Sequence, residues 1–305
     1  MSDVSKENLD DKIKIDDINV FSYKNRSKND SYNKKREDII ASIINDKIQE
    51  EYYKSSQEWN NFKHEIKSFI KDLCKIRGII SGNNIKCIVK AGRRHHFDFE
   101  IQINNSETFK VEYKHNASCV NDTPQFVSPM KPSQYLDSSY EEYYYDNHFT
   151  GLVDEYGLSL PTKEEYLKTI NSPNPSCLKE HLNKYYGGCE KSSKFSGKEN
   201  DKKFYESAKK ASRDSIMNFI SKYDVNKEKL TTYLLDTQKN KIYMLYKNGK
   251  FHLETVNLDD YIITTITKEP RKFRYIAKTK SDKKLKILLR WKNGNGIAFP
   301  SFQIS

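Results

Sequence analysis

The sequence lacks the features that would place a protein in a membrane or in the secretory pathway. No apolar run approaches the roughly 18 residues that a membrane-spanning helix needs. The N-terminus, MSDVSKENLDDKIKIDD, contains no apolar stretch of the kind found in signal peptides. We therefore expect an intracellular protein, cytoplasmic or nuclear, that is neither secreted nor membrane-bound.

Cysteine is scarce, and several catalytic motifs are missing. The chain has 5 cysteines and no Cys-x-x-Cys pair, which indicates reduced thiols and not a disulfide framework or a zinc ribbon. It contains no Walker A loop and no Gly-x-Ser-x-Gly elbow. No helix pattern follows the Gly-Asn-Gly sequence at 294–296, so a dinucleotide fingerprint is also excluded. P-loop, α/β-hydrolase and dinucleotide-binding enzymes are therefore poorly supported.

Positive charge, by contrast, is abundant. The 53 Lys and Arg residues exceed the 42 Asp and Glu residues and give a formal net charge of +11. Such an excess predicts a polyanionic partner, most simply nucleic acid. The segment from Lys268 to Lys292 holds 11 of the basic residues against two acidic ones, with aromatic residues between them. It fits a surface that follows a nucleic-acid backbone; a solvated face of a lysine-rich protein is the alternative.

The first half of the chain changes from a polar segment to helices and then to strands. Residues 1–33 are polar and lack sustained periodicity, so we expect disorder there. Isoleucines at spacings of three and four predict a helix from about Lys35 through Ile48, and an apolar stripe predicts another at Gln57–Ile76. Apolar alternation then predicts strands. They span residues 85–91, 95–103 and 108–115, with a turn at 104–107.

The second half is expected to be irregular at first and β-rich at the end. Prolines and a tyrosine-rich stretch at 139–149 interrupt residues 120–200. Helices are predicted at 162–170, 176–185 and 204–223. Strands are predicted at 233–236, 241–247 and 250–256, followed by a terminal hairpin over 284–305. The dipeptide Asn248–Gly249 is a strong hairpin signal between two of these strands.

Three charged residues are brought to one place by the hairpin expected near residue 104. Asp98 lies on its first strand, and Glu112 and Lys114 lie on its second. Residues i and i+2 of a strand project from the same face, and the short turn lets Asp98 sit opposite them. Two carboxylates, the Tyr113 carbonyl, waters and a phosphate suit Mg²⁺, and a lysine can orient or deprotonate an attacking water. An ordinary cross-strand ion pair is the alternative interpretation.

Taken with the long upstream helix and the apolar opposite phase of both strands, these residues resemble the PD-(D/E)xK nuclease superfamily. In that family a helix precedes a β-meander that carries Asp and then (Glu/Asp)-x-Lys. The match covers roughly residues 57–136, with Phe97-Asp98 in place of Pro-Asp. The resemblance implies an α/β fold with a restriction-endonuclease-like core of helix, β-meander, helix and strands. An irregular insertion and a β-rich C-terminal part would be added to that core.

The resemblance also implies roles for individual residues. Asp98 and Glu112, with the carbonyl of Tyr113, would be metal ligands for Mg²⁺, and Lys114 would position the attacking water. In several branches of the superfamily a Gln follows the Lys motif and contacts the water or the substrate. Gln125 is the catalytic candidate for that role.

Further candidates are weaker. Gln134 is a less favoured substitute for Gln125, and Glu58 and Glu65 on the upstream helix correspond to glutamates that contribute in some family members. The adjacent His95 and His96 point to opposite sides of a strand, which disfavours a zinc site built on both. The expected nucleic-acid contacts are Arg93, Arg94, Arg271, Lys272, Arg274, Arg290 and Lys292.

We therefore expect a Mg²⁺-dependent nuclease that hydrolyses phosphodiester bonds, an endonuclease of restriction-like type acting on double-stranded DNA. A homodimer is one expected state, because restriction-type enzymes frequently pair to cut both strands. The alternatives are a non-catalytic nucleic-acid-binding protein on the same fold and an interaction protein with solvated charges. The expected segments are disorder at 1–33, helices and catalytic meander at 34–136, an insertion at 137–202, and the remaining helix with the β-rich, basic part at 203–305.

Overall fold

The structure, a computed structural model, describes residues 13–22, 29–80, 84–90, 95–122, 126–127, 131–172, 180–181, 183, 185, 199–291 and 299–305. The chain divides into two units. Unit 1 comprises Met1–Thr123 and Thr237–Asn257, and unit 2 comprises Pro124–Asp236 and Leu258–Ser305. Within the described ranges the protein is α/β, as predicted, with eight α-helices and two five-stranded sheets. This division differs from the expected segments, because residues 237–257 return to unit 1.

Unit 1 has three helices and five strands in its described residues. They are α1 (Asn29–Ile44), α2 (Glu50–Ser55), α3 (Gln57–Ile76), β1 (Ile85–Val89), β2 (Phe99–Ile103), β3 (Glu107–His115), β5 (Lys241–Lys247) and β6 (Lys250–Thr255); the fourth strand, β4 (Phe126–Val127), belongs to unit 2. The prediction of α3 is confirmed. The helix begins where the Ser56 hydroxyl accepts the N–H of Trp59 at 3.4 Å. Helix α1 ends before Ile48, because Asp46 turns the chain with a positive φ of 56°.

The sheet of unit 1 has the order β1-β2-β3-β5-β6. Strands β3 and β5 are parallel, and the other neighbours are antiparallel. The predicted Asn248–Gly249 hairpin joins β5 to β6 with positive φ angles of 52° and 82°. Alternate residues of β2 and β3 are buried in the same core as the isoleucines of α1 and the apolar stripe of α3. The charged residues of β3 therefore belong to the opposite phase of the strand.

Part of the segment expected to be disordered is ordered. Residues Ile15–Phe21 form a 3-10 turn whose Ile18, Val20 and Phe21 are buried in the core of unit 1. The fully buried Arg36 of α1 holds this turn, because its Nε and Nη2 donate to the carbonyl of Val20 at 2.8 and 2.6 Å. The polar composition hid this segment, since its apolar residues are few and closely spaced. Residues 1–12 and 23–28 lie outside the described residues.

Unit 2 has five helices and five strands in its described residues. They are α4 (Tyr140–Tyr144), α5 (Thr150–Glu155), α6 (Lys163–Ile170), α7 (Glu199–Lys222), α8 (Lys227–Gln238, with its last two residues in unit 1), β4 (Phe126–Val127), β7 (Ile263–Glu269), β8 (Arg274–Thr279), β9 (Lys284–Trp291) and β10 (Pro300–Ile304). The sheet is antiparallel throughout, with the order β4-β10-β9-β8-β7. The predicted β-rich C-terminal part and its last hairpin are thereby confirmed.

Two predictions for unit 2 are wrong. The tyrosine-rich stretch is helical, since α4 continues through a π-turn at Tyr145–Phe149 into α5. Its rings are buried against one another, and the Nε1 of Trp291 donates to the hydroxyl of Tyr140 at 2.8 Å. Residues 233–236, predicted as a strand, belong to α8. A run of only three apolar residues, Tyr233–Leu235, fits either structure, and the surrounding helix decides.

None of the helices in the described ranges is both long enough and apolar enough to cross a membrane. The thiols of Cys74, Cys87 and Cys119 are free, whereas Cys177 and Cys189 lie outside the described residues.

Candidate functional site

Asp98 is fixed against β3 at the point where β2 begins. Its N–H donates to the carbonyl of Val111 at 3.0 Å, and its Oδ2 accepts the N–H of Tyr113 at 2.8 Å. These two hydrogen bonds join Asp98 to Val111 and Tyr113 of β3. They hold both the backbone and the carboxylate of Asp98. The structure thus brings Asp98 to the Glu112-Tyr113-Lys114 segment.

Glu112 lies between two lysines. The Nζ of Lys114 is 2.6 Å from its Oε1, and the Nζ of Lys241 is 3.2 Å from its Oε2. The three side chains are 14%, 16% and 4% exposed, so the ion pairs are largely shielded from water. Lys241 reaches Glu112 because it begins β5, which runs parallel to β3. This arrangement differs from the exposed cross-strand pair considered as an alternative.

The two carboxyl groups have opposite pKa shifts. Burial raises the pKa of Asp98 to about 7, and the negative charge of Glu112 adds to that effect against the Tyr113 N–H and the two lysines. Burial also disfavours the charged form of Glu112, but Lys114 and Lys241 outweigh it and lower the pKa of Glu112. Burial lowers the pKa of Lys241, and Glu112 opposes that shift. Of these two carboxyl groups, Asp98 is therefore the one that gains or loses its proton near neutral pH.

A third carboxyl group, Glu37 of α1, stands near this pair and was missed by the sequence analysis. It is 9% exposed. Burial raises its pKa to about 8, with smaller contributions from the charges of Asp98, Asp38 and Glu112 and an opposing one from Lys34. A signal existed, because Glu37 lies three residues before the buried Ile40 and so on the apolar face of α1. The buried acid whose pKa responds to the charges of Asp98 and Glu112 is thus on α1.

Lys241 was also missed, and no local pattern identifies it. The residue stands at the start of an apolar strand, and the connection from β3 to β5 passes through most of unit 2. Only the parallel register between β3 and β5, in which Lys110 pairs with Lys241, places its ammonium beside Glu112.

Several predicted residues do not join the site. Glu58 is exposed on α3, and Glu65 instead accepts the N–H of Phe251 at 3.3 Å. Gln134 is exposed on a 3-10 turn of unit 2. Four other predicted residues lie outside the part of the chain that the structure describes: Arg93, Arg94, Gln125 and Lys292.

The two histidines before Asp98 are both exposed. The His95 ring lies 5.5 Å from the ring of Phe97. Local desolvation lowers the pKa of His96, followed by the positive charge of Lys241, while Glu112 opposes the shift.

The basic segment predicted to contact nucleic acid is largely neutralised within unit 2. Lys272 and Arg274 both bind Glu269, at 3.1 and 2.6 Å. Arg290 is only partly exposed, and burial lowers its pKa. Further ion pairs join Lys268 to Asp224, Lys278 to Asp282, Lys280 to Asp259 and Lys283 to Asp260. Most of this segment is therefore less available to a polyanion than its composition indicates.

The residues of unit 1 fit a magnesium ion. Within the described residues no three His, Cys, Asp or Glu side chains are grouped closely enough to hold a metal by themselves. Magnesium does not require such a group, because it keeps several waters and binds through one or two carboxylates plus substrate phosphates. Asp98 accepts one bond and Glu112 two, and a carboxylate has about four lone-pair sites, so both retain acceptor capacity. The Tyr113 carbonyl points to the same side as its N–H, toward Asp98.

The position of Glu37 leads to an expected pH dependence of stability. The pKa of Glu37 is about 8 in the folded protein and near 4.5 in the unfolded chain. Between these two pH values the folded protein keeps the proton of Glu37, whereas the unfolded chain has lost it. Stability is then full below about pH 4.5 and falls as pH rises toward about 8. Glu37→Gln should remove this loss and, near pH 9, be more stable than wild type by on the order of 3 kcal/mol.

Urea unfolding with EDTA, followed by tryptophan fluorescence at a series of pH values, measures this difference. Glu51→Gln on α2, an exposed glutamate, is the matched control and should follow wild type. A Glu37→Gln protein less stable than wild type near pH 9 would contradict the assignment.

Comparison of the chain with protein-family models, with curated proteins and with solved structures found no match. A function for this chain therefore has to follow from the residues and distances given above.

Proposed function

We propose that unit 1 is a Mg²⁺-dependent nuclease with a restriction-endonuclease-like core, and that it cleaves DNA as an intracellular endonuclease. The observation that carries the proposal is the pairing of Asp98, bound to the Tyr113 N–H at 2.8 Å, with Glu112, bound to Lys114 at 2.6 Å. Both carboxylates stand at the same end of two adjacent strands.

The order of elements around these residues supports the proposal. Helix α3 precedes an antiparallel meander of β1, β2 and β3. The chain then crosses over through helices and returns as β5, parallel to β3. This order of a helix, a three-stranded meander, a helical crossover and a further strand is compatible with the core that the PD-(D/E)xK resemblance implies, and it supports the roles proposed for Asp98 and Glu112.

The burial of the charges also supports a functional site. Desolvation and the charge of a second carboxylate raise the pKa of Asp98 to about 7. Groups of like charge are costly to place together in a shielded position, and the pKa of Asp98 stays raised even though Lys114 and Lys241 lie beside Glu112. A bound divalent cation would remove that cost, and perturbed carboxyl groups of this kind cluster at functional sites.

The residues of unit 1 would have the following roles in phosphodiester hydrolysis. Asp98 and Glu112 would hold the metal, with the Tyr113 carbonyl as a further oxygen ligand. When bound, Mg²⁺ stabilises charge on a phosphodiester oxygen and lowers the pKa of a bound water. Lys114 would orient the attacking water and stabilise the developing negative charge. Lys241 would hold Glu112 in place from the other side, so that Lys114 is free to turn toward the substrate.

Cleavage of supercoiled plasmid DNA by the full chain tests the proposal. We expect nicked or linear product with Mg²⁺ and none with EDTA. Asp98→Asn should reduce the rate by about a hundred-fold or more, because a neutral amide is a poor ligand for magnesium. Asp72→Asn, an exposed aspartate on α3 that pairs with Lys75, is the matched control and should retain the wild-type rate.

Other outcomes distinguish the alternatives. Salt-sensitive DNA binding without cleavage under any metal condition would favour a non-catalytic nucleic-acid-binding protein on the same fold. Absence of DNA binding at low salt would favour an interaction protein. Sedimentation with and without duplex DNA shows whether two copies pair.

A further inference from the structure

Helix α7 and the turn before β8 border an open cavity of about 630 Å³ in unit 2. We call it the α7 groove. Its charged lining residues are Lys209, Lys210, Arg213, Arg271, Glu206 and Asp214. The four cations outnumber the two acids, and the volume lies in the range of ligand sites. None of these residues except Arg271 was predicted from the sequence to bind nucleic acid.

The cations that line the α7 groove are not neutralised by ion pairs among the described residues. In the neighbouring turn, Lys272 and Arg274 are both bound to Glu269. Within the described residues, by contrast, no ion pair forms at Arg271 or at the three α7 cations that line the groove. Arg271, Lys209, Lys210 and Arg213 are all exposed. Arg271 is therefore one of the exposed cations of the basic segment that no ion pair occupies in the described residues, and the cations of α7 lie beside it in the groove.

Phe273 lines the groove and has a well-defined backbone conformation. This residue takes a left-handed conformation with φ of 57°, which is uncommon for a bulky side chain and is held only when the surroundings require it. Its N–H donates to the carbonyl of Pro270 at 2.9 Å, and its carbonyl accepts the N–H of Leu289 at 3.0 Å. The guanidinium of Arg213 lies over its ring at 5.6 Å. The ring thus orients one arginine of the groove.

We infer that the α7 groove binds the sugar-phosphate backbone of a nucleic-acid strand and anchors it on unit 2. Two arginines can bind phosphate oxygens through paired N–H donors, and two lysines add point charges. Glu206 and Asp214 lower the net positive charge of the groove. They would repel an anion close to them and so disfavour non-specific binding of anions deeper in the groove. The inference takes nucleic acid as the partner from the proposed function, but it does not require the site of unit 1 to be catalytic.

Binding measurements on the full chain, in EDTA so that no cleavage occurs, test the α7 groove. The probes are fluorescently labelled single-stranded and duplex DNA of about 20 residues per strand, at several salt concentrations. We expect Arg213→Gln and Arg271→Gln each to weaken binding about ten-fold. Each should also reduce the slope of log affinity against log salt by about one. Glu206→Gln should strengthen binding, which loss of folding would not do.

Charge-matched controls separate the groove from a general basic surface. Lys222→Gln, at the exposed end of the same helix, should change affinity less than about two-fold. An equal loss in Lys222→Gln, or in the Glu269-bound Lys272→Gln, would overturn the inference, as would wild-type binding that Arg213→Gln and Arg271→Gln leave unchanged. Failure of the wild type to bind either DNA would overturn it too. Groove-dependent binding without any Mg²⁺-dependent cleavage would uphold this inference and refute the nuclease.

Discussion

Lys114→Ala should abolish Mg²⁺-dependent cleavage of plasmid DNA while leaving the protein folded and able to bind DNA. Removing one preorganised donor to a developing negative charge costs about 10²–10³ in rate, and loss of water positioning adds to this. The fold should tolerate the change, because Glu112 keeps Lys241 at 3.2 Å as its counter-ion. We expect a loss of unfolding free energy of about 1.5–3 kcal/mol, the contribution of one charged hydrogen bond.

The experiment compares Lys114→Ala with Lys110→Ala. Lys110 lies four residues earlier on β3, so it projects from the same face, but it is exposed and its ammonium lies near the ring of Phe97. Initial rates of plasmid nicking, circular dichroism and DNA affinity in EDTA should be measured for both proteins. Equal rates for Lys114→Ala and wild type, or an equal loss in Lys110→Ala, would remove Lys114 from the mechanism.

The part of the site that could be predicted is the part encoded locally. The alternation of apolar residues in β2 and β3 sets the phase of both strands, and the turn between them sets the register. Asp98, Glu112 and Lys114 follow from these two facts alone. The same holds for α3, whose apolar stripe and Ser56 cap lie within one continuous segment.

The part that escaped prediction depends on long-range pairing. Lys241 meets Glu112 only because β5 returns beside β3 after most of unit 2 has intervened. Glu37 comes from α1, whose orientation toward the sheet is a matter of tertiary packing. The neutralisation of the basic segment likewise requires Glu269, Asp259 and Asp260 to fold against it. Composition reports the number of charges and not which of them are already paired.

Glu112 should also contribute strongly to the stability of unit 1, because removing it leaves two shielded ammonium groups. Lys241 is 4% exposed and would lose its counter-ion, whereas Lys114, at 16%, can turn toward water. Breaking a buried ion pair from one side costs about 3–5 kcal/mol. We expect Glu112→Met, which keeps the length of the side chain, to destabilise unit 1 by about that amount.

Lys241→Met should cost far less, about 1 kcal/mol or none, because Glu112 keeps Lys114 and the methionine fills a buried position. The double variant Glu112→Met with Lys241→Met should recover most of the loss, since no lysine then remains buried without a partner. Urea unfolding measures the three values, and hydrogen exchange of peptides from β3 and β5 assigns them to unit 1. Additive losses in the double variant would show that the two residues are not coupled, and equal losses in the two single variants would contradict the expected asymmetry. The asymmetry follows from geometry: one carboxylate serves two cations, so either cation can be spared but the carboxylate cannot.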